Sequence, residues 1–106
     1  MKNLKTSIIV ASYEPDKKTL QEVLAGIEEE GGLAQTIDEP LKHVAETLAN
    51  KAAKQSALGT GIGIYKTKVA LAFNTQVGLA KVAFEPRTPR QTGQNAARYT
   101  KNKPFI

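Results

Sequence analysis

The order of the segments along this sequence predicts an α/β protein built in three layers. Short strand-like runs at residues 6–12, 33–37 and 79–84 are separated by segments whose apolar residues recur every three or four positions. Two further runs, 60–65 and 69–73, flank a short turn, which indicates a hairpin and therefore one antiparallel strand. We expect the order β-α-β-α-β-β-β-α, folded as a three-layer α/β/α sandwich with a mixed five-stranded sheet.

Local signals define the first helix. Residues 13–16 break the first strand, and Asp16 is placed to accept hydrogen bonds from the free N–H groups of the next helix. Gly31 and Gly32 end that helix, because glycine adopts the left-handed conformation of a C-cap without a Cβ penalty. Between these signals lies an amphipathic stripe of apolar residues: Leu20, Val23, Leu24 and Ile27.

The second and third helices are each expected to begin near a proline. Residues 38–40 open the second helix, since Pro40 suits a first turn, where a missing N–H costs nothing. Thr88 and Pro89 open the third helix as N-cap and first helical residue, and that helix continues to about Lys101. The apolar stripe of the second helix comprises Leu41, Val44, Ala45, Leu48, Ala49 and Ala52.

Length and composition bound the functional classes. The 106 residues are expected to form one domain, 1–106, and their 41% hydrophobic and 24% charged content is ordinary for a globular protein. Cysteine is absent, which excludes disulfides, thiolate nucleophiles and cysteine-based metal sites. The longest apolar runs are too short to span a bilayer, and the first residues do not form a signal peptide. We expect a soluble, cytoplasmic protein.

Charge is distributed unevenly along the chain. Residues 1–50 carry nine acids and five bases, whereas residues 51–106 carry one acid and ten bases. A basic half is compatible with nucleic acid, phosphates or an acidic protein partner. Nucleic-acid binding would add aromatic residues within a recognisable consensus, and no such consensus surrounds the five aromatic residues of this half. A solvated or partner-facing surface is the preferred interpretation.

The residues that most often carry catalysis are not arranged for it. The glycines of 59–63 precede and enter a strand, so they indicate tight packing at a strand start and not a phosphate-binding loop. His43, the single histidine, is expected in the first turn of the second helix with Glu46 as its nearest helical acid. No serine has a nucleophile-elbow setting. The chain alone is therefore expected to be no enzyme, with no catalytic and no cofactor-binding residues.

Three consecutive carboxylates, Glu28 to Glu30, lie at the predicted C-terminus of the first helix, where the helix macrodipole and their mutual repulsion both disfavour them. One interpretation is a solvated helix end that tolerates this cost. The other is that one carboxylate contacts a basic partner or a divalent cation. A single carboxylate suits Mg²⁺ or Ca²⁺ only if a second chain supplies further oxygen ligands. Spacing alone leaves both interpretations open.

The third helix contains an unexpected glycine. Gly93 costs about 1 kcal/mol relative to alanine in a helix interior. It lets another backbone come close, either within this protein or in a partner. The neighbouring polar residues Thr92, Gln94 and Asn95 are equally able to form hydrogen bonds across an interface.

Two segments in this order and separation resemble one family. They are Gly-Ile-Glu-Glu-Glu-Gly at 26–31, preceded by Glu-Val-Leu at 22–24, and Thr-Gly-Gln-Asn-Ala-Ala-Arg at 92–98, followed by Lys101 and Pro-Phe at 104–105. With a Gly-Ile-Gly strand start between them, these segments resemble the small (β) subunit of diol and glycerol dehydratase reactivases, which is itself similar to the dehydratase medium subunit. The resemblance covers essentially the whole chain.

The resemblance implies a fold and a role. The family fold is a three-layer, anticodon-binding-domain-like α/β/α domain with one antiparallel strand in a mixed five-stranded sheet. Reactivases are chaperone-like factors that release damaged cobalamin from adenosylcobalamin-dependent diol or glycerol dehydratase by subunit exchange. The implied partners are a large reactivase subunit, which is the ATPase and binds ATP or ADP, and the dehydratase. Nucleic acid and membranes are not implied partners, and association with a bacterial microcompartment and a homo-oligomer of the isolated chain stay open.

The resemblance also implies one site residue. In this family the middle glutamate of the 26–31 segment reaches a divalent ion at the interface with the large subunit, and that residue is Glu29 here. Glu29 is thus expected as a Mg²⁺ ligand whose other ligands come from the large subunit, while Glu28 and Glu30 stay unassigned. The alternative role is the medium (β) subunit of the dehydratase, although such subunits usually carry an N-terminal extension. A small anion- or nucleic-acid-binding module is the third alternative.

Overall fold

The computed structural model describes residues 7–74, 80–83 and 88–106. The elements follow the predicted order β-α-β-α-β-β-β-α. The ends of two predicted strands, residue 6 and residues 79 and 84, lie outside the described residues. The elements are β1 (Ile8–Tyr13), α1 (Lys17–Glu29), β2 (Ala34–Asp38), α2 (Ala45–Gln55), β3 (Thr60–Tyr65), β4 (Lys68–Asn74), β5 (Ala80–Ala83) and α3 (Pro89–Thr100).

One mixed sheet of five strands forms the middle layer, in the order β2-β1-β3-β4-β5. β1 pairs in parallel with β2 and β3, so that Val10 lies opposite both Thr36 and Ile62. β4 runs antiparallel to both of its neighbours. The predicted α/β class and the single antiparallel strand are therefore confirmed. The hairpin turn is Lys66-Thr67, because Lys68 already pairs with Tyr65.

Helices cover both faces of the sheet. α1 and α3 lie on one face, where Ile8, Val10 and Ile62 pack against Val23 and other residues of these helices. α2 lies on the opposite face, in contact with the alternate residues of β1. Alternating strand residues thus serve two cores, and each fully buried isoleucine contributes about 1.5–3 kcal/mol to folding.

The glycines of β3 allow α2 to pack directly on the sheet. A Cβ atom added at Gly61 would collide with the backbone of Ala52 and Ala53, and one added at Gly63 would collide with the backbone of Ala45. The interpretation of these glycines as a site of tight packing at a strand start is confirmed.

Two of the helix starts agree with their sequence signals. The Asp16 carboxylate accepts hydrogen bonds from the Thr19 backbone N–H at 3.0 Å and the Thr19 hydroxyl at 2.9 Å. Thr88 forms a complete capping box with Gln91, and Pro89 follows as the first helical residue. Both signals act between a side chain and backbone a few residues away, so they need no tertiary contact.

The predicted start of the second helix is wrong. α2 begins at Ala45, and Leu41 and Val44 are 68% and 57% exposed, outside its buried stripe. A residue before proline favours an extended conformation. Glu39 accordingly continues the line of β2, where its N–H donates to the Ser12 carbonyl and its buried carboxylate accepts from Lys51 at 2.8 Å.

Candidate functional site: the face between α1 and α3

α1 and α3 approach each other through two glycines. A Cβ atom added at Gly26 would collide with the carbonyl oxygen of Arg90, and one added at Gly93 would collide with the carbonyl oxygen of Val23. The two helix backbones are therefore in direct contact. Of the two interpretations of Gly93, close packing within the chain is confirmed.

Polar side chains form a network along this contact, which we call the α1–α3 network. Arg90 is its centre, and its Nε and Nη2 atoms donate to the two oxygens of Glu22 at 3.1 and 2.8 Å. Its Nη1 atom donates to Glu29 Oε2 at 2.9 Å. Gln94 donates to the other oxygen of Glu29 at 3.0 Å. One arginine thus joins two carboxylates that are seven residues apart on α1.

Glu30 is held by the other end of α3. Its carboxylate accepts a hydrogen bond from Arg98 Nε at 3.1 Å, and its carbonyl oxygen accepts one from Lys101 Nζ at 2.6 Å. The Glu30 side chain is only 15% exposed. Cations from α3 thus offset the unfavourable position of acidic residues at the negative end of α1. The solvated-end interpretation is therefore wrong for Glu30.

The network perturbs the protonation of two of its members. Hydrogen bonding from Arg90 lowers the pKa of the Glu22 carboxyl group below its ordinary value. The same contact, with a further contribution from Glu29, raises the pKa of the Arg90 guanidinium. Both shifts favour the charged forms, so the ion pair persists throughout the neutral range.

Glu29 keeps access to a second molecule. Its side chain is 46% exposed, and each oxygen accepts one hydrogen bond from α3, which leaves further lone-pair positions facing solvent. Among the described residues, no group of three His, Cys or acidic side chains is placed to hold a metal ion. A carboxylate such as that of Glu29 supplies few oxygen ligands, so a hard cation bound there would need its other ligands from another molecule.

An apolar cleft of about 310 Å³ adjoins the C-terminus of α1. Leu33, at its rim, is 62% exposed. Glu28 also lines this cleft and is exposed. Apolar surface beside ionic groups is typical of protein–protein contact surfaces. The lining residues are Leu24, Ile27, Glu28, Gly32, Leu33 and Ala34.

The end of the second motif folds back onto α3. Phe105 stacks on Phe73 with ring centroids 5.8 Å apart, and the Pro104 carbonyl oxygen accepts a hydrogen bond from Arg98. Asn95 is fully buried and its side chain pairs with the backbone of Ile106. Thr92 is also buried and donates within α3. Of the three polar residues weighed for interface contacts, Asn95 and Thr92 are thus used inside the fold, and Gln94 binds Glu29.

Other candidate residues lie elsewhere. His43 is half-buried in the segment before α2, so its predicted place in the first turn of that helix is wrong. Sequence reasoning did not single out Glu22 and Arg90 as partners. The sequence does carry a signal for them. Glu22 and Glu29 are seven residues apart and Arg90 and Gln94 are four residues apart, and each separation puts the two residues on the same face of a helix.

The fold is thus an α/β/α domain that carries an exposed carboxylate between α1 and α3 and an apolar cleft between α1 and the start of β2. The family model described as dehydratase medium subunit matches residues 6–106, and the chain belongs to that family. No curated protein gives a significant match to the sequence. In the described part of the chain, no helix is both long and apolar enough to cross a bilayer.

Two of the solved structures that share the fold come from dehydratase reactivases. A chain of a diol dehydratase-reactivating factor, in a structure complexed with ADP and Mg²⁺, is 30% identical with a TM-score of 0.75, and the match covers 94% of this chain and 96% of that one. A chain of a glycerol dehydratase reactivase is 24% identical with a TM-score of 0.72 over the same shares. The resemblance predicted from the two sequence motifs is confirmed, and the protein is of the dehydratase-associated or reactivase type.

Proposed function

We propose that this chain is the small subunit of a chaperone-like reactivating factor for adenosylcobalamin-dependent diol or glycerol dehydratase. The observation that carries the proposal is the 30% identity, over nearly the full length of both chains, to a chain of a diol dehydratase-reactivating factor. The domain itself is non-catalytic in this proposal. It acts by leaving a large ATPase subunit, whose freed surface then takes up contacts of the dehydratase and lets damaged cobalamin leave.

The α1–α3 face is the proposed docking surface for the large subunit. The exposed carboxylate of Glu29 offers an ionic contact, and the apolar cleft, which its chain neighbour Glu28 lines, offers a hydrophobic one near the same end of α1. In this proposal Glu29 is one ligand of a Mg²⁺ ion whose remaining ligands belong to the large subunit. Mg²⁺ would supply charge that links two carboxylate-bearing surfaces.

Nucleotide is proposed to bind the large subunit alone. The sequence lacks a Gly-Lys-Ser or Gly-Lys-Thr loop, and the backbone of α2 packs against Gly61 and Gly63. The related reactivating factor was solved with ADP and Mg²⁺ as a complex. We propose a cytoplasmic location, in some hosts within a microcompartment that holds the dehydratase.

Reactivation is the direct test. A dehydratase inactivated with damaged cobalamin is incubated with ATP, Mg²⁺, intact adenosylcobalamin and the large ATPase subunit, with or without this chain. We expect diol or glycerol turnover to return only when both subunits are present. Equal recovery without this chain would contradict the proposal.

The second candidate is the medium subunit of the dehydratase itself, which the name of the matching family favours. The two candidate roles differ in the protein with which this chain forms a stable complex. A medium subunit co-purifies with the cobalamin-binding chain, and diol turnover is lost when it is omitted from reconstitution. Co-expression with each candidate partner, followed by size-exclusion chromatography, separates the two roles.

A further inference from the structure

We propose that Arg90 is a positioning residue that holds Glu29 ready for the partner and releases it on docking, with Glu22 as the anchor that keeps Arg90 in place. This inference rests on the proposed role of Glu29 at the interface. It assigns a function to two residues, Glu22 and Arg90, that need not touch the partner at all.

The geometry separates an anchor from an exchangeable contact. Arg90 makes a bidentate pair with Glu22 through Nε and Nη2, and a single hydrogen bond with Glu29 through Nη1. A bidentate arginine–carboxylate pair fixes the plane of the guanidinium, whereas a single bond leaves the acceptor free to rotate. Glu29 can therefore leave Arg90 without leaving an unpaired guanidinium behind.

The exposed fractions agree with this division. Glu22 is 34% exposed, Arg90 40% and Glu29 46%, so Glu29 is the most accessible member of the group. Exposed ion pairs contribute little to stability, and replacing one partner by another is correspondingly inexpensive. The other hydrogen bond to Glu29 comes from the uncharged side chain of Gln94, and it is also a single bond.

Glu22 is needed because it offsets the positive charge of Arg90 next to Glu29. Without Glu22, the whole positive charge of Arg90 would face Glu29 and compete with a cationic group on the partner or with Mg²⁺. The bidentate pair with Glu22 offsets that charge and leaves a net negative charge at Glu29. Glu22→Gln is thus expected to weaken docking from a distance, by tightening the contact between Arg90 and Glu29.

The first readout uses the isolated chain and needs no partner. Hydrogen exchange of the Arg90 Nε–H, followed by NMR, reports its bond to Glu22. We expect Glu22→Gln to accelerate this exchange by about tenfold and Glu29→Gln to change it less than about twofold, because among the described residues the Nε–H donates to Glu22 and not to Glu29. Equal acceleration by the two variants would overturn the anchor assignment, whatever the function of the protein.

The second readout is the dissociation constant of the complex with the large ATPase subunit, measured in Mg²⁺ for a double-mutant cycle. We expect Glu22→Gln to weaken binding by about three- to tenfold in the wild-type background and not at all in the Glu29→Gln background. Equal weakening in both backgrounds would overturn the release mechanism. No binding by the wild-type chain would instead overturn the proposed function, while the exchange experiment still decides the anchor.

Discussion

The two helical layers hold the same sheet by different means. On one face, α2 packs through small residues: Ala45, Ala49 and Ala53 contact Ala70 and Ala72 of β4, and Gly61 and Gly63 lie beneath its backbone. On the other face, α1 contributes Val23 and Ile27 to the core and α3 contributes Ala96 and Ala97, and the α1–α3 network of carboxylates and arginines lies on the outer surface of the two helices.

This difference separates rigid packing from exchangeable bonding. Close-packed alanine and glycine contacts leave no room to move, because any added atom meets backbone. Half-exposed ionic contacts can exchange partners at low cost. The α1–α3 network is therefore the part of its layer suited to reversible docking, whereas the close glycine contacts of both layers hold their helices in place.

The largest expected effect comes from filling the α2 layer. Gly63→Ala places a Cβ atom against the backbone of Ala45 and Ala49, which belongs to a helix and cannot give way locally. We expect the free energy of unfolding to fall by about 3 kcal/mol. Urea denaturation measures it, with Ala57→Ser as a control that adds one atom at an exposed position. A loss equal to that of the control would show that α2 packs less closely than described.

A smaller loss is expected where α1 meets α3. Helix propensity alone predicts that Gly26→Ala stabilises the protein by about 1 kcal/mol. The Cβ atom would collide with the Arg90 carbonyl oxygen, so we expect a net loss of about 1–2 kcal/mol instead. Urea denaturation of this variant beside Gly63→Ala compares the two layers directly. Stabilisation would contradict the direct backbone contact of α1 and α3.

The helix contact between α1 and α3 also predicts a pH dependence. Because the folded state lowers the pKa of Glu22, its contribution to stability is present above the ordinary value of 4.5 and is lost as pH falls through the lower folded value. As the pH falls from neutral to below 4.5, we therefore expect the Glu22→Gln variant to lose less stability than the wild type. Thermal unfolding across this range checks it, with Glu46→Gln removing a carboxylate from α2 as control. Parallel curves for wild type and Glu22→Gln would contradict the assigned pair.

The sequence was sufficient where the signals are local. Asp16 and Thr88 act on backbone three residues away, and the glycines of β3 indicate close packing by themselves. It was insufficient where the partner is distant in the chain. Glu39, which the sequence placed at the start of α2, instead pairs with Ser12, and the role of Arg90 depends on α1, more than sixty residues earlier. Composition and periodicity do not report which helices lie side by side.

The most direct measurement of the central claim is calorimetric titration of this chain into the large ATPase subunit, in Mg²⁺ and in chelator. We expect binding about tenfold tighter in Mg²⁺. Glu29→Gln should abolish that difference, and Glu46→Gln, which removes a carboxylate from α2 on the opposite face of the sheet, should retain it. Binding that is equally tight in both buffers, or equally sensitive to the two substitutions, would contradict docking through Glu29. Tight binding to the dehydratase's cobalamin-binding chain with none to the ATPase would contradict the reactivase role itself.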